Sequence, residues 1–250
     1  MVGWKAAFLN ELFKLRKKKK LVASAVLSLL TVLIGQLAVS AVTYGLGLRL
    51  AGSGEFPFVV LSLICYTLLP LFAAFVAIDA FCGEFSSNTM KLTLTRPVSR
   101  FGVYTAKVGT VGVFILANLL FVMVLALWAG FLFNPASADV SSVVKVVMAY
   151  GVSWLPVFVF SLVVVVLANL LRSGTAVFFL SVLLYLAFHF LGIVFSRYAS
   201  FFMTSSFDWY ALWIADTVNW GKIVRQLLIL FGCGMMLFTA GYYLFEKKDL

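Results

Sequence analysis

The chain has 250 residues, of which 64% are hydrophobic and 11% charged, with a mean hydropathy of +1.10, whereas soluble domains hold about 45–50% apolar and 25% charged residues. That balance excludes a sizeable soluble catalytic domain and marks an integral membrane protein. The net charge of +10 does not point to a nucleic-acid partner, because seven basic residues, Lys5, Lys14 and the run Arg16 to Lys20, crowd ahead of the first apolar stretch as a membrane topogenic signal.

If residues 1–20 are helical, Trp4, Phe8, Leu12 and Leu15 fall within one narrow arc beside Lys5 and Lys14. The arc predicts a cytoplasmic amphipathic helix lying in the membrane interface. Glu11 intrudes at one edge of the stripe and Phe13 projects opposite, while Lys17–Lys20 serve equally as a plain positive-inside tag. Apolar runs follow at about 21–46, 56–78, 108–133, 143–171, 175–195 and 223–245. Each is near the roughly 20 residues that a helix needs to cross a bilayer. None shows the two-residue alternation of a membrane β-barrel. The expected fold is therefore all-α, with one membrane domain over 21–250 and six transmembrane helices. The first run exceeds the 7–15 apolar residues of a signal peptide, so it reads as a retained anchor despite the weak cleavage pattern Ala38-Val39-Ser40. Six spans put both ends of the chain on one face, where fourteen of the nineteen Lys and Arg residues fall. The positive-inside rule makes that face cytoplasmic in a multi-pass protein of the cell membrane.

One long polar interruption, residues 83–100, separates the second and third spans. Phe81, Phe85, Thr89 and Leu92 form a helical row, with Met90 and Leu94 beside it, which predicts a short amphipathic helix over 81–96 lying against the membrane or a partner. Arg96 precedes Pro97 and is biased away from helical dihedrals, and Ser99 is a good N-cap for the next helix. Asp79, Glu84, Lys91, Arg96, Arg100 and Lys107 keep this element in water, since a charge at mid-bilayer costs about 2.5–3.5 kcal/mol. Lys91 and Lys107 are expected to do no more than solvate a loop.

Pro156 predicts a kink in the fourth span. Residues 196–221 carry Phe207, Trp209, Tyr210, Trp213 and Trp220 among other aromatics. Amphipathic rings favour the headgroup level, so this segment is expected to lie along the outer surface or to dip inward as a re-entrant element. Cys65, Cys82 and Cys233 form no CxxC pair and read as small apolar residues, with no metal site. His189, between Phe188 and Phe190, stands about two turns from Ser181 on the same helix and reads as a packed residue rather than a catalytic base. A secondary transporter or channel is the alternative function, but the spans hold only mild polarity, Gln36, Asn118, Asn169 and His189, and no mid-membrane carboxylate, which argues against proton coupling.

The pattern Glu84, Thr89, a Leu-rich turn at Leu92 and Leu94, then Arg96-Pro97-Val98-Ser99-Arg100 and Lys107 entering the next span resembles the permease subunits of ABC-2 type exporters. It is most similar to the short six-span permeases encoded apart from their ATPase, such as those of bacteriocin immunity, sodium export and copper-site maturation. Members often carry Gly before the Thr and more acidic residues ahead of it; this chain has Asn88 and Glu84. The resemblance implies that the helix at about 81–96 is a coupling helix that docks in a groove of a nucleotide-binding subunit. Glu84 would be its buried charged contact, Phe85, Thr89 and Met90 its packing surface, and Arg96 and Arg100 the anchors of the turn. It further implies two ATPase subunits carrying ATP and Mg, a second permease copy as homodimer or heterodimer, and no cofactor on this chain. An amphipathic, lipid-like or peptide cargo completes the expectation. No G-x-x-x-x-G-K-[ST] phosphate loop occurs in the sequence, so if ATP powers this protein a second chain binds and hydrolyses it.

Overall fold

The computed structural model describes residues 2–46, 52–86, 99–133, 140–171, 173–195, 202–215 and 217–247, with the backbone alone for 2, 3, 46 and 84–86. Helix α1 (Val2–Arg16) breaks briefly before α2 (Lys19–Leu46). Then come α3 (Phe56–Tyr66) and α4 (Leu68–Ser86), α5 (Arg100–Phe133), α6 (Val140–Leu170) and α7 (Gly174–Val194). A 3-10 turn at Met203–Ser206 and the short α8 (Ala211–Ile214) lead into α9 (Trp220–Glu246). No strand occurs among the described residues. Among the described residues, helices α2, α5, α6, α7 and α9 are each long and apolar enough to cross a membrane, and α3 and α4 together, bent by 45° where they meet, are long and apolar enough as a pair. Side-chain caps fix where several helices start: Ser99 Oγ accepts from Gly102 N at 3.1 Å, and Asn219 Oδ1 accepts from Lys222 N at 3.1 Å.

Helix α6 is the hub and touches α3, α4, α5, α7, α8 and α9. Lipid tails are as apolar as the side chains they would release, so helices in a bilayer associate through close packing and hydrogen bonds. The contacts of α6 have that character. Tyr150 donates its hydroxyl to Pro57 O at 2.9 Å, Trp154 donates its indole N–H to Gly112 O at 2.8 Å, and Asn169 reaches Gly241 O at 3.4 Å. Gly112 permits the second of these, since a Cβ there would stand 3.0 Å from the Phe158 ring.

Two prolines leave backbone carbonyls without their helical donors, and aromatic side chains from elsewhere supply replacements. Pro70 has no N–H for Tyr66 O, which accepts instead from the Tyr185 hydroxyl of α7 at 2.6 Å. Pro156 likewise frees Val152 O, which accepts from the Trp209 indole at 3.1 Å. In hydrocarbon no water could fill either vacancy. Pro156 lies inside α6, which stays helical through it, and the chain between α3 and α4 breaks at Thr67, with φ −121° and ψ −78°. Helix α6 is largely buried among its neighbours from Ser153 to Asn169, while the break at Thr67 bends α3 away from α4 by 45°.

The aromatic outer segment folds into the bundle. Phe207 is fully buried among Tyr66, Phe160 and Tyr185. Trp209 and Tyr210 are buried beside it, Tyr210 stacking on Phe58 at 6.5 Å. Trp213 is half-buried, and Trp220, at the start of α9, is exposed. The reason lies on other helices: the free Val152 carbonyl of α6 takes the Trp209 indole, and Tyr66 at the α3–α4 break packs against Phe207. His189 packs against Tyr66 and Tyr185, and the Ser181 hydroxyl bonds its own helix at Phe178 O.

Candidate coupling site

Helix α4 ends and α5 begins at the end of the bundle where α2 starts and α9 finishes, termed basal here. Helix α4 does not stop at Ile78. It continues to Ser86, so residues 81–86 belong to the spanning helix rather than to a separate surface helix. Phe81 is fully buried, edge-on to Tyr104 at 5.7 Å and to Phe245 at 6.1 Å, and faces the bundle rather than a partner. The polarity that begins at Asp79 fails to end the helix because its carboxylate is matched by Lys20 at 2.8 Å and Lys18 at 3.4 Å. Glu84 and Phe85 stand in the last turn of α4, where the backbone alone is described. Thr89, Met90 and Arg96 lie outside the described residues. Arg100 opens α5, and its Nη1 donates to Glu246 O at 2.7 Å. That carbonyl belongs to the last turn of α9, where helix acceptors lack partners and the dipole favours a cation.

Helix α1 lies along α5. Trp4 stacks on Phe8 at 5.5 Å and donates its indole N–H to Thr105 Oγ1 at 3.0 Å. The Phe8 ring sits over Gly109, where a Cβ would meet it at 3.2 Å. Leu12 is half-buried and Leu15 packs against the core, while Leu9 and Phe13 are exposed on the other side. The stripe thus packs against α5. Glu11, the apparent flaw in that stripe, is buried, with Oε1 accepting from Lys14 at 2.8 Å and Oε2 3.5 Å from Lys107 Nζ.

Lys107 is 0% exposed, which overturns its reading as a loop-solvating charge. It stands two turns inside α5, donates to Ala80 O at 2.7 Å and lies 5.9 Å from the centre of the Phe81 ring. A buried ammonium persists only when it is paired and hydrogen-bonded, and Glu11 and Ala80 supply both. The sequence held a usable signal: an acid on an apolar helical stripe and a lysine inside an apolar span are each costly alone and complementary together.

These contacts tie α1 to α5, α5 to α4 and to α9, and α2 to α4. The helices on either side of the α4–α5 connection are thus joined to both terminal helices. At the far end of the bundle, burial raises the Asp208 carboxyl above its ordinary range although the residue keeps an exposed edge, and a hydrogen bond from the Tyr66 hydroxyl partly offsets this. Burial, reinforced by Cys65 and Asp208, pushes Tyr210 up to about 12.

A family model described as ABC-2 family transporter protein matches residues 7–192. That stretch reaches from α1 almost to the end of α7 and contains the α1–α5, α2–α4 and α4–α5 ties. No curated protein matches the chain. Because the family match covers most of the sequence and fits an all-helical body with several apolar spans, this chain belongs to the ABC-2 family of transporter proteins, as a membrane permease.

Proposed function

We propose that this permease is the transmembrane subunit of an ATP-driven exporter. A separate nucleotide-binding subunit, holding ATP and Mg, grips the connection between α4 and α5 from the cytoplasm and drives the bundle by its own closure. Glu84 supplies the charged contact, Phe85, Thr89 and Met90 the packing surface, and Arg96 and Arg100 anchor the turn. Phe81 is excluded from that surface because it packs within the bundle. The observation that carries most weight is the cross-tying of the two helices leading into the connection, through Lys107, Glu11 and Arg100. Two permeases and two ATPases form the working unit in the cell membrane, with both chain ends cytoplasmic and the pathway between the permeases. An amphipathic, lipid-like or peptide cargo suits spans whose buried polar groups are largely engaged with neighbouring backbone.

The test is purification in mild detergent followed by identification of a co-purifying ATPase, then reconstitution. Glu84→Ala and Phe85→Asp should insert normally yet lower transport per ATP hydrolysed by about 5- to 150-fold, the range of a 1–3 kcal/mol coupling energy. Full-rate transport by vesicles holding this chain alone, without nucleotide, would establish a carrier or channel instead.

A further inference from the structure

At the basal end a groove of about 510 Å³ opens between the start of α2, the last turns of α4 and the start of α7. Its floor is aromatic. Phe75 and Phe178 stack at 4.6 Å, and Phe179 beside them is exposed. Its rim is charged: Lys20 Nζ lies 5.4 Å from the centre of the Phe75 ring and 2.8 Å from the Asp79 carboxylate. Lys18 reaches the same carboxylate, and Lys17 and Lys19 are exposed in the adjoining turn, so among the described residues the rim carries an excess of positive charge. The first turn of α7, capped by Ser173, adds the positive end of its dipole.

Depth gives the groove its meaning. Phe75 is one helical turn below Asp79 on α4, and Phe178 one turn below Gly174 on α7. A cationic rim over an aromatic floor, at the edge of the apolar zone, repeats the profile of a phospholipid whose phosphate stays in water while its first chain segments do not. The chains gain nothing by leaving other lipid for protein, so selection must rest on the headgroup. Lysine near an anionic membrane surface contributes about 1 kcal/mol per residue. The geometry points to a binding site for one anionic phospholipid of the bilayer, its phosphate against Lys20 and Lys18 and its proximal chain on Phe75, Phe178 and Phe179. This site does not depend on the ATPase-driven reading of function.

The test uses the full chain in nanodiscs with equal phosphatidylglycerol and phosphatidylcholine, released and weighed by native mass spectrometry. The wild type should retain one phosphatidylglycerol. Lys20→Gln leaves Lys18 to serve Asp79 and should lower retention about fivefold, the equivalent of 1 kcal/mol. Gly83→Phe should abolish retention, because Gly83 lines the groove and a Cβ there meets nothing within 4 Å among the described residues, leaving room for a ring to occupy the lipid's place. Equal retention of both lipids by the wild type, undiminished retention in Gly83→Phe, or displacement by soluble glycerol 3-phosphate at matched concentration would each overturn the site.

Discussion

Glu11 and Lys107 show what a buried charge requires in a chain this apolar. Each would be costly alone, and the pair is tolerated because the carboxylate also takes Lys14 and the ammonium also takes a backbone carbonyl. Removing one partner of a buried pair costs about 3–5 kcal/mol, since the other charge stays in place. Glu11→Ala should therefore lower stability by that order. Lys107→Met should cost less, because Glu11 keeps Lys14 at 2.8 Å and the thioether can follow the path of the lysine stem. Chemical denaturation in detergent, followed by circular dichroism, measures both, and equal losses would contradict this account of the pair. Both residues stand out in the sequence as charges in apolar patterns. That they meet depends on α1 lying along α5, a contact such as Trp4 to Thr105 that no local pattern encodes.

Among elements, the decisive relation is between α6 and the aromatic segment that follows α7. Pro156 removes a donor, and Trp209 restores one to the same carbonyl. Trp209→Phe should destabilise the protein by about 1–3 kcal/mol, the cost of orphaning a buried acceptor. In a Pro156→Ala background the new N–H can serve Val152 O, so the same substitution should cost less, with a coupling of about 0.5–3 kcal/mol in a double-mutant cycle. Strict additivity would mean that Trp209 stabilises by packing alone. The aromatic richness of residues 196–221 is plain in the sequence, and amphipathic rings fit the headgroup level as well as a protein interior. Burial of Trp209 was decided by an acceptor on another helix and that of Tyr210 by the Phe58 ring, so composition could not reveal either.

For the whole molecule, the basal end gathers the α1–α2 lysines, the start of α5 and the end of α9, held together by Arg100 and Asp79. If that end faces the cytoplasm, Thr217→Cys, ahead of α9, should react with an impermeant maleimide on intact cells, and Lys17→Cys only after permeabilisation. Cys65 and Cys82 are buried, so replacing the half-buried Cys233 suffices as background. The reverse labelling pattern would invert the topology.

Membrane residence, the all-helical fold and the approximate spans were determined by the sequence alone, because a hydrocarbon solvent imposes length and hydrogen-bonding rules that act locally along a chain. The polar interruption and its likeness to ABC-2 permeases were legible for the same reason, as a charged and turn-forming stretch between greasy runs. Only the tertiary structure decided that α4 extends to Ser86, that the second span breaks at Thr67 while α6 passes through Pro156, and that Lys107 is interior. Each of these turns on a partner distant in sequence: Lys20 for Asp79, Tyr185 for Tyr66 O, Trp209 for Val152 O, and Glu11 for Lys107. Charge and hydrogen-bond balance are settled where helices meet, and a linear pattern records only the groups that need settling.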